Sequence, residues 1–135
     1  GSGLYYRNCF QGKVFHFLEY DKRFELARAQ ESPDFLREMV YGRLYWPVGL
    51  TAKAKAQYEQ YLQEHMAQIA SAFIRQKRGK ELEWLLHTYP LTPDQRELFA
   101  GLMDQANASH ASEILSMLME YQKVHFPSRR RSFDL

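Results

Sequence analysis

The chain has 135 residues, 45% of them hydrophobic and 25% charged; this fits a folded domain able to bury a core and excludes a disordered or low-complexity polypeptide. Lysine and arginine total 18 against 16 aspartate and glutamate, a near balance that argues against a strongly acidic partner. One cysteine, Cys9, excludes an intramolecular disulfide and suits the cytoplasm or another reducing compartment, and the lack of a long apolar run or signal peptide predicts no membrane partner.

Gly1-Ser2-Gly3 reads as an expression remnant, which makes Leu4 the first natural residue and points to a piece of a larger protein. Residues 4–31 form an aromatic N-terminal segment. Val14-Phe15-His16-Phe17-Leu18-Glu19-Tyr20 is rich in strand formers, so two strands paired around Gly12 are one reading. Leu18, Phe24 and Leu26 also suit a helix, and Phe24 to Gln30 leans helical.

A helical domain is expected over 32–126, followed by a basic tail over 127–135. Ser32-Pro33-Asp34 is a helix start: a capping hydroxyl, a proline at the first helical position and an acid at the positive helix end. Phe35, Leu36, Met39, Val40 and Leu44 give that helix its apolar stripe, and Pro47 and Gly49 end it. From Thr51 to Arg78, Tyr58, Leu62, His65/Met66, Ile69 and Phe73 recur every three or four residues. They predict one helix of about 25 residues, roughly 38 Å long, capped by Thr51 and stopped at Gly79.

Leu82, Leu85, Leu86 and Tyr89 mark the next helix, which stops before Pro90. Thr92-Pro93-Asp94-Gln95 is a dense start signal in which Gln95 closes a capping box. Leu98, Phe99, Leu102, Met103 and Ala106 then face inward. Ser109 is expected to cap the last helix, whose stripe is Ile114, Leu115, Leu118, Met119 and Tyr121.

Two spacings recur. Leu50-Thr51 and Leu91-Thr92 both precede helices, and Glu81-Leu82-x-x-Leu85-Leu86-x-x-Tyr89 resembles Glu113-Ile114-x-x-Met117-Leu118-x-x-Tyr121. The expected fold is therefore mainly α, with stacked helix hairpins as a degenerate repeat or irregular bundle. The pattern is similar to ankyrin-like and other helix-pair repeats in period alone. The ankyrin Thr-Pro-Leu-His string is absent, so no family residues carry over.

The chemistry-bearing residues are scattered. His16, His65, His87, His110 and His125 include no pair at i,i+4 and no His-Glu-x-x-His, and with one cysteine they predict no metal site. His65 on the apolar side of its helix reads as a packed residue, and Cys9 as inert. No glycine-rich phosphate loop and no paired carboxylates stand out, so neither catalytic residues nor a cofactor are expected. Aromatic density after the first clear helix points instead to a protein partner or a neighbouring domain, with Tyr41, Tyr45, Trp46, Tyr58 and Tyr61 as interface residues. The alternative is a nucleic-acid contact through Arg75, Lys77, Arg78 and Lys80 with Arg129, Arg130 and Arg131 of the tail.

Overall fold

The computed structural model describes residues 14–127, with side chains from Leu18 onward. Every regular element among the described residues is helical. They are α1 (Val14–Lys22), α2 (Phe24–Gln30), α3 (Pro33–Tyr45), α4 (Ala52–Glu64), α5 (Met66–Arg75), α6 (Gly79–Thr88), a 3₁₀ turn (Pro93–Gln95), α7 (Arg96–Ala108) and α8 (Ser112–His125). None is long and apolar enough to cross a membrane. The chain divides into two compact units, Gly1–Met66 and Ala67–Leu135.

The first unit corrects the strand reading of residues 14–20, which lie in α1. The part of that hairpin before Val14 lies outside the described residues. Asp21 near the end of α1 and Phe24 and Ala27 of α2 are all buried, on either side of a break at Arg23, where φ is −112° and ψ 17°. Phe24 then meets the rings of Tyr58 at 4.7 Å and Tyr61 at 5.9 Å, both edge-on, joining α2 to α4. Arg28 of α2 also reaches Glu64 of α4 at 2.9 Å.

α3 begins as its start signal predicts: the Phe35 N–H donates to Ser32 Oγ at 3.1 Å, with Pro33 in the first turn. Leu36, Met39, Val40 and Leu44 are buried as expected. α4 likewise starts under Thr51, whose Oγ1 accepts from the Ala54 N–H at 3.1 Å.

The single long helix expected over 51–78 is broken at His65. The backbone there has φ −123° and ψ 23°, well off helical values. His65 Nδ1–H donates to the Tyr61 carbonyl at 3.0 Å, an oxygen that also accepts the His65 backbone N–H at 3.0 Å. The imidazole stacks on Tyr61 at 4.1 Å. A side chain competing within the i→i−4 ladder is a recognised cause of a helix break. Tyr58, Leu62 and Met66 are buried in the first unit, and Ile69 and Phe73 in the second.

In the second unit, α5 stops by a route the sequence reading misassigned. The Arg78 N–H donates to the Phe73 carbonyl at 2.7 Å and the Lys77 N–H to Ile74 at 3.0 Å, a Schellman pair. The left-handed residue is Lys77, at φ 57°, rather than Gly79. Gly79 instead opens α6, where an added Cβ would stand 3.2 Å from Ile114 Cγ1 of α8. The glycine serves close helix approach, and the turn tolerates a lysine. α7 ends identically: the Ala111 N–H donates to Ala106 at 3.0 Å and the His110 N–H to Asn107 at 3.2 Å, with His110 at φ 55°. Ser109 thus belongs to the end of α7, donating its hydroxyl to the Gln105 carbonyl at 2.6 Å, and does not cap α8.

These two turns are 33 residues apart, from Lys77 to His110, and they close two stacked hairpins, α5–α6 and α7–α8. Gln105 Nε2 of α7 donates to the Ser71 carbonyl of α5 at 3.0 Å, tying outer helix to outer helix. The buried Tyr121 of α8 ties inner helix to inner helix. Its hydroxyl accepts the Leu91 N–H at 2.9 Å and donates to the Leu86 carbonyl at 3.3 Å. Burial pushes the Tyr121 phenol up from its ordinary pKa, more than the Leu91 bond lowers it. Tyr121→Phe should therefore cost about 1–3 kcal/mol, the penalty for stranding a buried N–H, measured by urea unfolding.

A left-handed non-glycine residue carries strain of about 1–2 kcal/mol, partly offset in glycine by its greater freedom when unfolded. Lys77→Gly is accordingly expected to raise stability by about 0.5–1 kcal/mol, read as a higher urea midpoint at constant slope.

Candidate functional site

The strongest local construction in the first unit begins with an arginine on an apolar stripe. Leu36, Met39, Val40, Arg43 and Leu44 follow one helical face, and Arg43 is completely buried. A buried guanidinium must be matched by charge and by acceptors for its N–H groups. Asp21 of α1, also buried, supplies the charge: Arg43 Nε donates to its Oδ1 at 3.1 Å and Nη2 to its Oδ2 at 3.0 Å. The remaining capacity is aimed at the chain leaving α3. Nη1 donates to the Trp46 carbonyl at 2.8 Å and Nη2 to the Val48 carbonyl at 2.7 Å.

Tyr58 of α4 completes the cluster, donating its hydroxyl to Asp21 Oδ1 at 2.5 Å. Burial, then the bond to Asp21, raises the phenol far above its usual pKa. Tyr58 is therefore a neutral donor at physiological pH.

The segment so held is a tight turn. The Leu50 N–H donates to the Pro47 carbonyl at 3.1 Å, and Gly49 has φ 68°, a conformation that favours glycine at this turn position. Leu18 Cδ2 of α1 lies 3.0 Å from where a Gly49 Cβ would be, so a side chain there would also collide. Tyr45 is 58% exposed, Trp46 37% and Val48 42%. Tyr41 stacks on Tyr45 with ring centroids 5.5 Å apart. An apolar, aromatic surface thus rests on a turn whose backbone is clamped from below.

Of the five aromatic residues named from the sequence, Tyr41, Tyr45 and Trp46 lie at this surface. Tyr58 and Tyr61 do not: their exposures are 0% and 5%. Both fall on the inward stripe of α4 and pack on Phe24, so the expectation of an exposed face is corrected for these two. Burial raises the Tyr61 phenol above its usual pKa, against the lowering effects of Arg28 and Arg37.

The basic cluster is only partly directed at solvent. Arg78 Nε donates to Glu81 Oε2 at 2.7 Å, Nη1 donates to Gln76 Oε1 at 2.9 Å, and the guanidinium lies 4.6 Å above the Phe73 ring. Lys77 Nζ donates to the Ser109 carbonyl at 3.2 Å. Arg75 and Lys80 are exposed. Arg129, Arg130 and Arg131 lie outside the described residues, as do Cys9 and the side chain of His16.

The described histidines are dispersed, His65 against Tyr61 and His125 against Tyr121 at 4.0 Å, and no three metal-ligating side chains gather among the described residues. An open groove of about 370 Å³ runs along α1 and α2, with Tyr20 and Leu26 beside Glu19, Arg23 and Glu31. No protein-family model matches the chain, and neither a curated protein nor a solved structure shows significant similarity to it.

Sequence reasoning missed Asp21 and Arg43. The signal was present at Arg43, a charged residue seven positions after Leu36 on an otherwise apolar stripe. Its partner lies 22 positions earlier in another helix, and no local pattern identifies it.

Proposed function

We propose that this chain is a non-enzymatic protein-interaction or assembly module whose binding face is the aromatic turn at the end of α3. The observation that carries the reading is the combination of exposed Tyr45, Trp46 and Val48 with a turn backbone clamped by the buried Arg43. Aromatic anchors lose little side-chain entropy on binding, and a preset backbone lowers the ordering cost further. Interfaces are enriched in such residues at their centres.

Trp46→Ala and Tyr45→Ala are expected to leave the fold intact and weaken a captured partner by about 2 kcal/mol each, the hot-spot threshold. Partners would be captured quantitatively from the native source with the full chain. Val124→Ala, at a 75% exposed position on α8, serves as the control. Affinity per folded molecule that is unchanged in both aromatic variants would reject the reading.

The competing proposal is a nucleic-acid contact through Arg75, Lys80 and the tail arginines. It requires affinity for duplex or single-stranded probes that falls steeply with salt as counterions are released. Lys77 and Arg78 support it less, because intramolecular acceptors already hold them.

A further inference from the structure

We propose that α1 is a latch on the aromatic turn: its docking, through Asp21 and Leu18, holds the backbone of residues 46–49 in its presented form, and its release loosens that turn while α3 and α4 stay folded. The functional consequence rests on the interaction reading above. The latch itself is a property of the geometry and is tested separately.

Two independent contacts carry it. The Arg43 guanidinium is divided between Asp21, at 3.1 and 3.0 Å, and the carbonyls of Trp46 and Val48, at 2.8 and 2.7 Å. Leu18, one helical turn before Asp21, lies directly against Gly49. Residues three apart on a helix share a face, so one face of α1 engages the turn at both points.

The chemistry makes these contacts a transmission and not only an attachment. A buried guanidinium is costly without a counter-charge, and Asp21 supplies one here. If Asp21 leaves, the guanidinium must move towards water or bind a replacement acceptor. Either movement withdraws N–H groups from the two turn carbonyls. α1 has nine residues, too few for an isolated helix to persist, so its helicity depends on docking. By reciprocity, a partner that prefers the clamped turn favours docked α1, and a ligand that draws α1 away weakens that partner by the same factor.

The test is amide hydrogen exchange in the full chain, resolved residue by residue by NMR. The Leu50 N–H, bonded to the Pro47 carbonyl across the turn, is the reporter. The amides of Tyr58 and Leu62 inside α4 are the reference. Asp21→Asn keeps the shape of the side chain and removes its charge. It should speed Leu50 exchange by about tenfold relative to those references, the scale of one charge-assisted hydrogen bond lost from a local opening. Tyr58→Phe removes a bond to Asp21 but leaves the Arg43 pair, and should change the Leu50 ratio less.

An unchanged Leu50 ratio in Asp21→Asn, including one in which all three amides accelerate equally, overturns the latch. If Asp21→Asn prevents folding, Leu18→Ala decides in its place by the same ratio, expected to rise and overturning the latch if it does not. The exchange result is independent of partner capture. Failure of the latch leaves the Trp46 and Tyr45 binding test standing, and failure of that binding test leaves the exchange result intact.

Discussion

Arg43→Ala is expected to destabilise the first unit by about 3–5 kcal/mol, the cost of removing one partner from a buried ion pair. The arginine is fully buried and its bonds go to Asp21 and to two backbone carbonyls. Its loss strands a buried carboxylate with the Tyr58 hydroxyl as its remaining described donor, and removes the donor from the Trp46 and Val48 carbonyls. Arg43→Lys keeps the charge but loses the planar fork, so it should fall between wild type and alanine. The paired change Asp21→Leu with Arg43→Met should cost far less than Arg43→Ala, because it leaves no uncompensated charge. Each unit contains one tryptophan, Trp46 in the first and Trp84 in the second. Urea unfolding followed by Trp46 fluorescence in a Trp84→Phe background therefore reports the first unit. A loss below about 1 kcal/mol for Arg43→Ala would be surface-pair behaviour and would contradict this account of the clamp.

Phe99→Ala should cost the second unit about 3–5 kcal/mol, the usual range for emptying a buried phenylalanine site. Phe99 is 2% exposed and lies between two rings, stacked on Phe126 at 5.0 Å and on Tyr121 at 5.7 Å. Truncation removes apolar burial and both ring pairs, and leaves a cavity beside the tyrosine that ties Leu91 to Leu86. The Arg96 guanidinium, 5.3 Å above the Phe126 ring, would retain its own contact but lean on a less supported ring. Phe99→Leu keeps an apolar filler and should lose less. Trp84 fluorescence in a Trp46→Phe background reads this transition. A Phe99→Ala midpoint equal to wild type would show that the ring cluster is not part of the cooperative core.

The helices of this chain were largely legible in its sequence. Ser32 with Pro33, Thr51, and Thr92 with Gln95 mark starts that the structure contains, and the buried stripes follow the three- and four-residue spacing of their apolar side chains. The paired leucine-rich segments also anticipated stacked hairpins. These signals are local: a capping hydroxyl reaches an N–H three residues away, and a stripe is decided within a few turns.

The candidate site was legible only in part. Tyr41, Tyr45 and Trp46 stood out by density, but density alone did not separate them from Tyr58 and Tyr61, which lie on the inward stripe and fill the core around Phe24.

What the sequence by itself determined was the helical class, the helix starts at Ser32, Thr51 and Thr92, and most of the inward faces, with Met119 an exception at 49% exposure, because propensity, capping and periodicity act over neighbouring residues. The tertiary structure decided where that local logic yields. It made a helix of the strand-like Val14–Lys22, which places Asp21 at the buried Arg43 of α3 and Leu18, one turn earlier, at Gly49. It placed Gly79 where an added Cβ would stand 3.2 Å from Ile114, and the left-handed turn residue at Lys77. It paired Asp21 with Arg43 across 22 residues, because a buried charge is satisfied by whatever lies beside it in space, and proximity between helices is not written in either helix alone.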